Sequence, residues 1–596
     1  MPLLLSPAGS PAALKSAINA GADEVYLGGS DFNARMNASN FDRDALIKAG
    51  KLCRASNVGL HITLNTLIYD REFAAVLDYV DFLANSVQPD ALIVQDLGLA
   101  CAIRERFPEL PLHASTQMRI HSYLDAEFLK SLGFTRAVLA RELPREDIAK
   151  FVKTGLETEI FAHGAICVSE SGGCLMSSVI GGRSGNRGEC AQPCRLPYKC
   201  QNRFPLSTKD MCLAPHIKEI SDMGVTSIKL EGRMKSPEYV GIVTSVYRRL
   251  IDQNRNATDK EIKLLSDVFS RSGFTDGYFV SKINRDMFGV RREEDKKISQ
   301  AVNYRVESAG RRVPREKTAA DTTFILPERD ESKTFPPSKQ KGLVLRFEGK
   351  LPSRAFLEKH FDSVARIDVP LFACGDERLK GLYEKISVVL PRSIFVNEVE
   401  KVEKQLKTAY ELGIRHATIS SLNQIKICEG FYLHGDYCFN VVNRETVAFL
   451  EKHSFSSLML SPETEGAFVR QSRCALEYIG YGRTPLMYTR TCIIGNIKGC
   501  PYAENNICKA PDNKKNCFAE LTDRTGARFP IIGGVNHTNT IYNSQIGYRL
   551  DRRSKLKKSG VGLMTLMFTI ETEGEMEYVL SIAQSGEKPN FDFTRR

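Results

Sequence analysis

Eight short apolar segments, each ending in polar or glycine-containing residues, alternate with helical stretches over the first 250 residues, and they constrain the fold more than any other feature. This alternation is typical of βα units. Eight such units predict an α/β fold with an N-terminal TIM-like (β/α)8 barrel over residues 1–282, whose active site lies at the C-terminal ends of the strands. The predicted strand ends are LLLSPAG, VYLGG, HITLNT, LIVQD, LHASTQ, VLAREL, EIFAHG and IKLEGR.

Polar residues stand at the ends of these predicted strands, so a barrel would bring them to one mouth. A barrel rim also carries helix caps, ion pairs and core histidines, and each residue taken singly fits such a structural role equally well. Their number favours a functional site. The candidates are Asn65, Asp96, Gln117, Arg141, Glu142, His163, Glu231 and Arg233.

Four cysteines, Cys167, Cys174, Cys190 and Cys194, lie in one Gly- and Ser-rich segment after the seventh predicted strand. Six, fifteen and three residues separate them in turn, whereas structural zinc sites usually contain short pairs at each end. The spacing therefore favours an iron–sulfur centre over zinc, with four unconnected core thiols as the alternative.

The same segment contains GGRSGNRGE, with Arg183 and Asn186 among its glycines. Such a loop could cradle an anionic group, although it fits no phosphate-loop pattern.

The second half of the chain repeats part of the first. The segment beginning LHASTQMRIHSYL at Leu112 aligns without gaps over 32 residues with the one beginning LHGDYCFNVVNRE at Leu433, an offset of 321. After a three-residue slip, Glu159 aligns with Glu477 and Cys174 with Cys492. This repeat predicts a degenerate second barrel over residues 342–596, derived from duplication and joined to the first by a polar, basic linker over residues 283–341.

The repeat replaces rim residues while it keeps apolar positions, since Tyr481 stands for His163 and Cys438 for Gln117. Catalysis is therefore predicted to lie in the first barrel. The second half also contains Cys492, Cys500, Cys508 and Cys517, separated by seven, seven and eight residues. These cysteines are candidates for a second cluster or a zinc site, although their spacing matches no standard motif and buried thiols remain the alternative.

Composition indicates the class of protein. Sixteen cysteines without a secretion signal predict a cytoplasmic enzyme, and no segment offers the roughly 18 consecutive apolar residues of a membrane helix. The 82 Lys and Arg against 71 Asp and Glu give a net charge of +11, which permits a polyanionic partner without requiring one.

A set of motifs over residues 1 to about 280 resembles the collagenase-like peptidase family U32: LLLSPAGSPAAL, GADEVYLGG, LIVQDLG, LHASTQM, VLAREL, EIFAHGAICVSESGGCLMSS and IKLEGRMKSPEYV. The resemblance implies an iron–sulfur protein, with Cys167, Cys174, Cys190 and Cys194 as ligands of a 4Fe–4S cluster. Several members of that family are hydroxylation factors rather than peptidases.

Because it has a second half, this chain resembles the longer members of the family, which make 5-hydroxycytidine in large-subunit ribosomal RNA. Shorter members act on transfer RNA uridine. The resemblance thus implies an RNA partner and a small carboxylate, such as prephenate, as oxygen donor. Glu142, His163, Glu231 and Arg233 would be the catalytic residues, with Glu142 and His163 moving protons. The substrate-binding residues would be Arg35, Asn65, Asp96, Gln117, Arg183 and Asn186, with Arg35, Arg183 and Arg233 holding carboxylates.

Two other classes of function stay open at this point. A peptidase would need a nucleophile, and the sequence has no HEXXH, GXSXG or Cys–His–Asn arrangement, although His163 stands four residues before Cys167. A noncatalytic scaffold that carries clusters for a partner enzyme is the third interpretation.

Overall fold

The computed structural model describes residues 1–586 apart from 37–38, 201–203, 303, 305–339, 465–471, 500–502, 505–506, 509–516 and 535–537. The chain divides into two compact units. The first comprises Met1–Pro197 and Asn202–Leu326, and the second comprises Tyr198–Gln201 and Pro327–Arg596.

The described residues of the first unit form ten strands and eleven α-helices. Its strands are β1 (Leu3–Pro7), β2 (Glu24–Leu27), β3 (Gly59–Leu64), β4 (Ala91–Val94), β5 (Leu112–Ala114), β6 (Phe134–Val138), β7 (Glu157–Ala165), β8 (Asp210–Cys212), β9 (Ser227–Leu230) and β10 (Phe274–Thr275). Its helices are α1 (Pro11–Asn19), α2 (Arg43–Ala55), α3 (Phe73–Phe82), α4 (Leu97–Arg106), α5 (Asp125–Ser131), α6 (Arg145–Val152), α7 (Met176–Gly181), α8 (Ile217–Met223), α9 (Pro237–Asp252), α10 (Asp259–Val268) and α11 (Glu293–Ala301).

Strands β1 to β7 and β9 form a closed parallel cylinder. Each of β1 to β6 pairs in parallel with the next strand along the chain, and β9 closes the cylinder by pairing with both β7 and β1. Short strand β8 runs antiparallel to β7, and β10 pairs with β8 outside the cylinder. The eight-stranded barrel predicted from the sequence is confirmed, and all eight predicted segments supply its strands or strand ends.

Local sequence explains where several barrel helices begin. Ser10 accepts a hydrogen bond from the Ala13 amide and is followed by Pro11 at the first helical position of α1. Thr258 and Glu261 form a reciprocal capping box at α10. These caps satisfy amides that the first helical turn leaves without intrahelical partners.

A buried ionic network fills the interior of the first barrel. The guanidinium of Arg136 on β6 donates two hydrogen bonds to Glu24 at the start of β2, at 2.7 and 3.0 Å, and one to Glu159 at 3.2 Å. Lys229 on β9 binds the other oxygen of Glu159 at 2.8 Å. The two carboxylates are thus paired within the cylinder, as buried charges must be.

Where the second unit is described, it contains fifteen strands and seven α-helices. Its strands are β11 (Gly342–Phe347), β12 (Arg366–Pro370), β13 (Ile386–Val389), β14 (His416–Ile419), β15 (Tyr432–Gly435), β16 (Phe455–Met459), β17 (Ala475–Gly482), β18 (Pro485–Thr489), β19 (Ala503–Glu504), β20 (Ile507–Cys508), β21 (Phe518–Thr522), β22 (Arg528–Gly533), β23 (Asn539–Tyr542), β24 (Gly547–Tyr548) and β25 (Val561–Phe568). Its helices are α12 (Arg354–His360), α13 (Val399–Glu411), α14 (Gln424–Ile427), α15 (Arg444–Glu451), α16 (Ile493–Lys498), α17 (Arg553–Lys558) and α18 (Glu573–Ser585).

Strands β11 to β17 and β25 form a second closed cylinder, in which β25 pairs in parallel with both β17 and β11. A four-stranded antiparallel sheet, in the order β18–β23–β22–β21, is inserted between β17 and β25. The predicted second barrel is confirmed, and it keeps eight strands.

The structure also supports the duplication that the 321-residue offset predicts. Strand β6 shifted by 321 residues has the bounds of β16. The aligned residues Arg119 and Asn440 both adopt left-handed backbone conformations, with φ of 63° and 52°. The two halves therefore share local backbone geometry as well as strand order.

Arg366 is the centre of the ionic network inside the second barrel. It binds Asp368 at 2.6 Å, Glu477 at 2.9 Å and Ser457 at 3.2 Å. His434 lies 2.9 Å from the same guanidinium. All of these side chains are buried.

Part of the predicted linker, residues 283–341, is described. It includes α11, which packs against α10, whereas residues 303 and 305–339 lie outside the described residues. Across the described parts of the chain, no helix has the length and apolar character needed to cross a membrane.

Candidate active site at the mouth of the first barrel

Glu231, directly after β9, is the centre of a charged cluster at the mouth of the first barrel. Its carboxylate accepts hydrogen bonds from Arg35 and Arg141, each at 3.3 Å. Burial alone would raise the pKa of Glu231, but the charges of Arg35, Arg141 and Arg233 outweigh burial and lower it. The carboxylate is therefore ionised, and three guanidinium groups around one carboxylate leave a surplus of positive charge.

Arg233 holds the loop that carries Arg35. Its guanidinium donates to Thr63 at 3.1 Å, Asn33 at 2.9 Å and Asn40 at 2.8 Å. Burial lowers the pKa of Arg233 to about 10, so it stays charged at neutral pH. Its hydrogen-bonding capacity is largely committed to protein atoms, which assigns Arg233 a positioning role.

Asn65, predicted to bind substrate, supports the same loop. Its side-chain oxygen accepts a hydrogen bond from the Ala34 amide at 3.1 Å. Asn65, after β3, and Arg233, after β9, thus bind Ala34 and Asn33, the two residues directly before Arg35.

Glu142, predicted to be catalytic, anchors the cysteine-rich segment. One of its oxygens accepts from His121 at 2.7 Å and from the Ser171 amide at 2.8 Å, and the other accepts from the Ser171 hydroxyl at 3.1 Å. All three residues are buried. This arrangement ties the end of β6 to the segment that carries the four cysteines.

Gly172 lets that segment cross the rim closely. Its φ is +71°, and a Cβ added there would lie 2.1 Å from the Gln117 carbonyl oxygen. Only glycine fits this contact without moving the backbone. The Gln117 side-chain oxygen is buried without a hydrogen-bond partner in the described structure.

Two sets of contacts join the four cysteines across their segment. Arg195, next to Cys194, donates to the carbonyl of Ile166, next to Cys167, at 2.9 Å. The Ala191 amide, next to Cys190, donates to Ser177 of α7 at 2.9 Å, and α7 follows Cys174. Each pair of cysteines is therefore held together by its neighbours in the chain.

The electrostatics of these thiols are mutually coupled. Burial raises the pKa of Cys174, and the charges of Cys194, Cys190 and Cys167 raise it further. The pKa of Arg35 is raised first by Glu231 and then by Cys167 and Cys190. The loop that carries Arg35 also touches the cysteine segment, since a Cβ added at Gly188 would lie 2.3 Å from the Asn33 carbonyl oxygen.

The spacing of the sulfurs bears on which metal they fit. Where the structure describes side chains, one group of three or more potential ligands has all its ligand atoms within 4.8 Å of one another, and it is His61, His113 and Glu159. No three of the four cysteine sulfurs, all on described residues, lie within 4.8 Å of one another, whereas a single tetrahedral zinc ion with Zn–S bonds of about 2.3 Å holds its sulfurs about 3.8 Å apart. A cluster in which each iron binds its own cysteine accommodates wider spacing.

The buried group of His61, His113 and Glu159 is a poor cation site. Glu159 already pairs with Lys229 and Arg136. Burial lowers the pKa of His113, and the charge of Arg136 lowers it further. The same positive charges would repel a metal ion.

His163 on β7 has the environment of a neutral core histidine. Its ring packs against Tyr239, Tyr247 and Phe274, with Nδ1 3.3 Å from the Tyr247 hydroxyl oxygen. Burial, with a contribution from Lys235, lowers the pKa of His163 to about 3.

The remaining predicted substrate-binding residues are placed as follows. Asp96 caps α4 through the Leu99 amide at 2.9 Å and also accepts from the Ile68 amide. Asn186 is buried, and its carbonyl accepts from the Leu67 amide at 3.0 Å. Arg183 is exposed and donates to the Glu189 carbonyl at 3.0 Å. These contacts hold parts of the cysteine-rich segment and the loops around it, and they do not involve the Glu231 cluster.

Sequence reasoning missed His121, Ser171 and Asn33, which hold the predicted residues in place. Each stands in a motif already singled out or beside one, but nothing in a single sequence tells which polar groups pair across the rim.

The second cysteine set is only partly described. The Cys492 sulfur accepts a hydrogen bond from the Gly495 amide at 3.2 Å and caps α16. The Cys517 carbonyl accepts from the Gly533 amide at 2.8 Å. Cys500 and the side chain of Cys508 lie outside the described residues. A second metal site therefore stays a prediction.

Comparison with known proteins places the chain. The sequence model of peptidase family U32 matches residues 9–288 and 376–538, and so covers parts of both barrels. The chain belongs to peptidase family U32.

Three relatives of this U32 protein carry different names. It is 38% identical to an uncharacterized protease of Methanocaldococcus jannaschii, over 48% of this chain and 74% of that protein. It is 40% identical to the 23S rRNA 5-hydroxycytidine synthase of Escherichia coli, over 42% of this chain and 39% of that protein. It is 34% identical to a tRNA hydroxylation protein of Bacillus subtilis, over 42% of this chain and 63% of that protein.

Proposed function

We propose that this U32 protein is an iron–sulfur-dependent RNA hydroxylation factor, which adds a hydroxyl group to a pyrimidine base at the mouth of the first barrel. The observation that carries the proposal is the contact between the cysteine segment at Gly188 and Asn33 of the loop that carries Arg35, the residue that binds the Glu231 carboxylate. One loop thus lies between a charged binding cluster and the segment of the predicted cluster ligands. Relatives named for rRNA and tRNA hydroxylation support this assignment.

Cys167, Cys174, Cys190 and Cys194 would hold the cluster, which we take to be 4Fe–4S. When bound, such a cluster supplies electron transfer or a Lewis-acidic iron beside the barrel mouth. The contacts of Glu142 with Ser171, and of Gly172 with Gln117, would hold the cysteine segment in register with the rim.

The surplus positive charge around Glu231 suits an anionic group. Replacing C–H by C–OH adds one oxygen atom and removes two electrons from the base, so the oxygen donor takes up those two electrons as it gives up the atom. A small carboxylate donor, with prephenate as the example, would meet Arg35 and Arg141 there. The Glu231 carboxylate, held ionised, would fix the orientation of both guanidinium groups.

For the RNA, we place a cytidine of the large-subunit ribosomal RNA first and a transfer RNA uridine second. The order follows the identities of 40% and 34% with the relatives named for these reactions. A flipped-out base reaches a barrel mouth that a stacked base cannot enter.

Mass spectrometry of nucleosides from the ribosomal and transfer RNA of a deletion strain tests the proposal. We expect one pyrimidine nucleoside heavier by a single oxygen atom to disappear. The unmodified gene and a Glu238→Gln control, which changes an exposed acid on α9, should restore it, whereas Glu231→Gln should not. RNA unchanged by the deletion would overturn the proposal.

The relative named as a protease gives the peptidase a place in the same test. Peptide cleavage by the purified protein, together with unchanged RNA, would establish that function instead. If neither RNA nor peptide changes, the cluster-carrying scaffold becomes the explanation.

A further inference from the structure

The mouth of the second barrel contains a cleft of about 180 Å³ that the proposed reaction does not use. Its floor consists of the ends of β11, β12 and β13, and residues of β18, β22 and β23 in the inserted sheet form its opposite wall. The cleft therefore lies where TIM-like barrels place their ligands, within the second unit alone.

The charges at this cleft are balanced. Arg346 forms two hydrogen bonds with Asp436, at 2.9 and 3.1 Å, and a third with Glu348 at 2.6 Å. Arg392 lies 3.8 Å from Glu348 and donates to Thr540 at 3.4 Å. Two guanidinium groups thus face two carboxylates, so a net negative or positive ligand gains little here, unlike at the mouth of the first barrel.

The polar groups offer both donors and acceptors to a neutral ligand. The Arg392 guanidinium lies over the Tyr488 ring, with its carbon 5.2 Å from the ring centroid. Glu348 accepts from the Tyr542 hydroxyl at 2.9 Å. An uncharged planar ring that carries hydrogen-bond donors and acceptors on its edge matches this pairing of guanidinium and carboxylate.

Two aromatic rings with partly exposed surfaces, Phe372 and Tyr488, line the same cleft. The rest of the wall is mostly apolar and includes Leu351, Leu371 and Pro391. Aromatic rings beside a cationic group are the common platform for unstacked bases in single-stranded nucleic acids. A cavity of about 150 Å³ holds a benzene molecule, so this cleft has room for one pyrimidine ring but not for a paired duplex.

We infer that the cleft of the second barrel binds one unstacked base of the RNA substrate, which makes the second barrel the part that recognises RNA while the first carries out the chemistry. The inference rests on the proposed function for the identity of the RNA. It assigns a role to the barrel that has lost the rim residues of the first.

Calorimetric titration of the full-length, cluster-loaded protein with cytidine, uridine and ribose tests the base site. We expect both nucleosides to bind and ribose, the base-free probe, to bind at least tenfold more weakly. Tyr488→Ala should weaken nucleoside binding about tenfold, the loss that removal of one stacking ring produces, and Phe372→Ala serves as a second, independent variant.

Tyr410→Ala is the matched control, because Tyr410 is exposed and also stacks with an arginine, Arg415, at 3.7 Å from its ring centroid. It should leave binding unchanged, and circular dichroism should show all three variants folded. Equal binding of ribose and nucleosides, or equal losses in the Tyr410 and Tyr488 variants, would overturn the inference.

A short single-stranded RNA containing 4-thiouridine distinguishes a base in RNA from a free nucleoside. We expect the RNA to bind and to cross-link to a peptide that contains Tyr488 or Phe372. Nucleoside binding without RNA binding would mean a small-molecule site and would overturn the inference. The hydroxylated nucleoside of the deletion strain is measured in a separate experiment. A failure to bind nucleosides at this cleft would leave the proposed reaction standing, and unchanged RNA in the deletion strain would leave the nucleoside site standing.

Discussion

The second strand of each barrel begins with a buried charged residue, which is an acid in the first barrel and a base in the second. Glu24 opens β2 and binds Arg136 of β6, whereas Arg366 opens β12 and binds Ser457 of β16. Arg136 and Ser457 occupy aligned positions of the repeat. The residue that opens the second strand thus carries opposite charges in the two barrels, and the residue that it binds on the sixth strand differs as well.

Other members of the network did not change between the halves. Glu159 and Glu477 align, as do His113 and His434, and both carboxylates are buried. A buried carboxylate needs a partner because desolvation costs several kcal/mol per ion. The comparison teaches that the need for a partner persists after duplication, while the strand that supplies the partner can change.

The mouths differ as much as the interiors. The first has a surplus of positive charge and the cysteine segment beside it, and the second has balanced charges under an inserted sheet. This difference is the reason to assign chemistry to one barrel and base recognition to the other.

The largest effect is expected from a pair of aligned cysteines. Cys174→Ser should remove most of the bound iron and sulfide and reduce the hydroxylated nucleoside to the level of the deletion strain, because it removes one cluster ligand. Cys492→Ser should leave the hydroxylated nucleoside unchanged, since a serine hydroxyl still caps α16, and iron or sulfide lost in this variant would belong to the predicted second site. Iron and sulfide analysis after anaerobic purification measures both, and zinc without sulfide in the unmodified protein would contradict the cluster.

Removal of the central arginine of the second barrel should have the next largest effect. Arg366→Met leaves the buried Glu477 and Asp368 without their shared partner, which should lower the free energy of unfolding by about 3–5 kcal/mol. Lys229→Met in the first barrel should cost less, because Arg136 still pairs with Glu159. Urea titration measures both variants, and equal losses would mean that the two networks are not built as described.

A charge exchange tests the comparison directly. Glu24→Arg with Arg136→Ser places an arginine on the second strand and a serine on the sixth, as in the second barrel, so the double variant should be more stable than the sum of the two single variants predicts. A coupling of about 1–3 kcal/mol is expected for residues in direct contact. Additive losses in urea titration would show that the two positions do not compensate each other.

Mild acid should have the smallest effect and should act on both barrels. Burial lowers the pKa of His163 to about 3, beside Lys235, Tyr239 and Tyr247, and that of His416 to about 4, beside Arg366 and His434. Both lie below the unfolded value of about 6.5, so their neutral forms stabilise the fold above that pH, and this stability is lost as the pH falls toward the folded values. Between about pH 7 and pH 5.5, each should cost about 1 kcal/mol.

His163→Phe should remove the contribution of His163 to this loss, because the phenylalanine ring cannot be protonated. Thermal unfolding of the variant and the unmodified protein at the two pH values measures the difference. An unchanged pH dependence would show that His163 is protonated in the folded state.

Much of the architecture could be predicted from the sequence, because βα periodicity and an ungapped repeat are one-dimensional signals. The eight strands of the first barrel and the existence of the second follow from them. The meeting of Arg141 and Glu231 also follows in outline, since residues at the ends of parallel strands meet at one mouth, whereas Arg35 is indicated only by the family resemblance.

The roles of single rim residues could not be predicted in this way. Glu142 and His163 look alike in sequence, as polar residues at strand ends, yet one anchors a loop through Ser171 and the other packs among aromatic rings. That difference depends on which side chains the fold places around each residue, and those side chains are distant in the chain.

Both barrels place a long insertion between their seventh and eighth strands, over residues 166–226 in the first and 483–560 in the second. A ribosome that adds about 5–20 residues per second takes several seconds to make each insertion. During that time the first and seventh strands of each nascent cylinder have unpaired edges, which favour pairing with other chains. Each cylinder can close only when its last strand emerges, so the time of greatest vulnerability to aggregation comes twice in the synthesis of this protein.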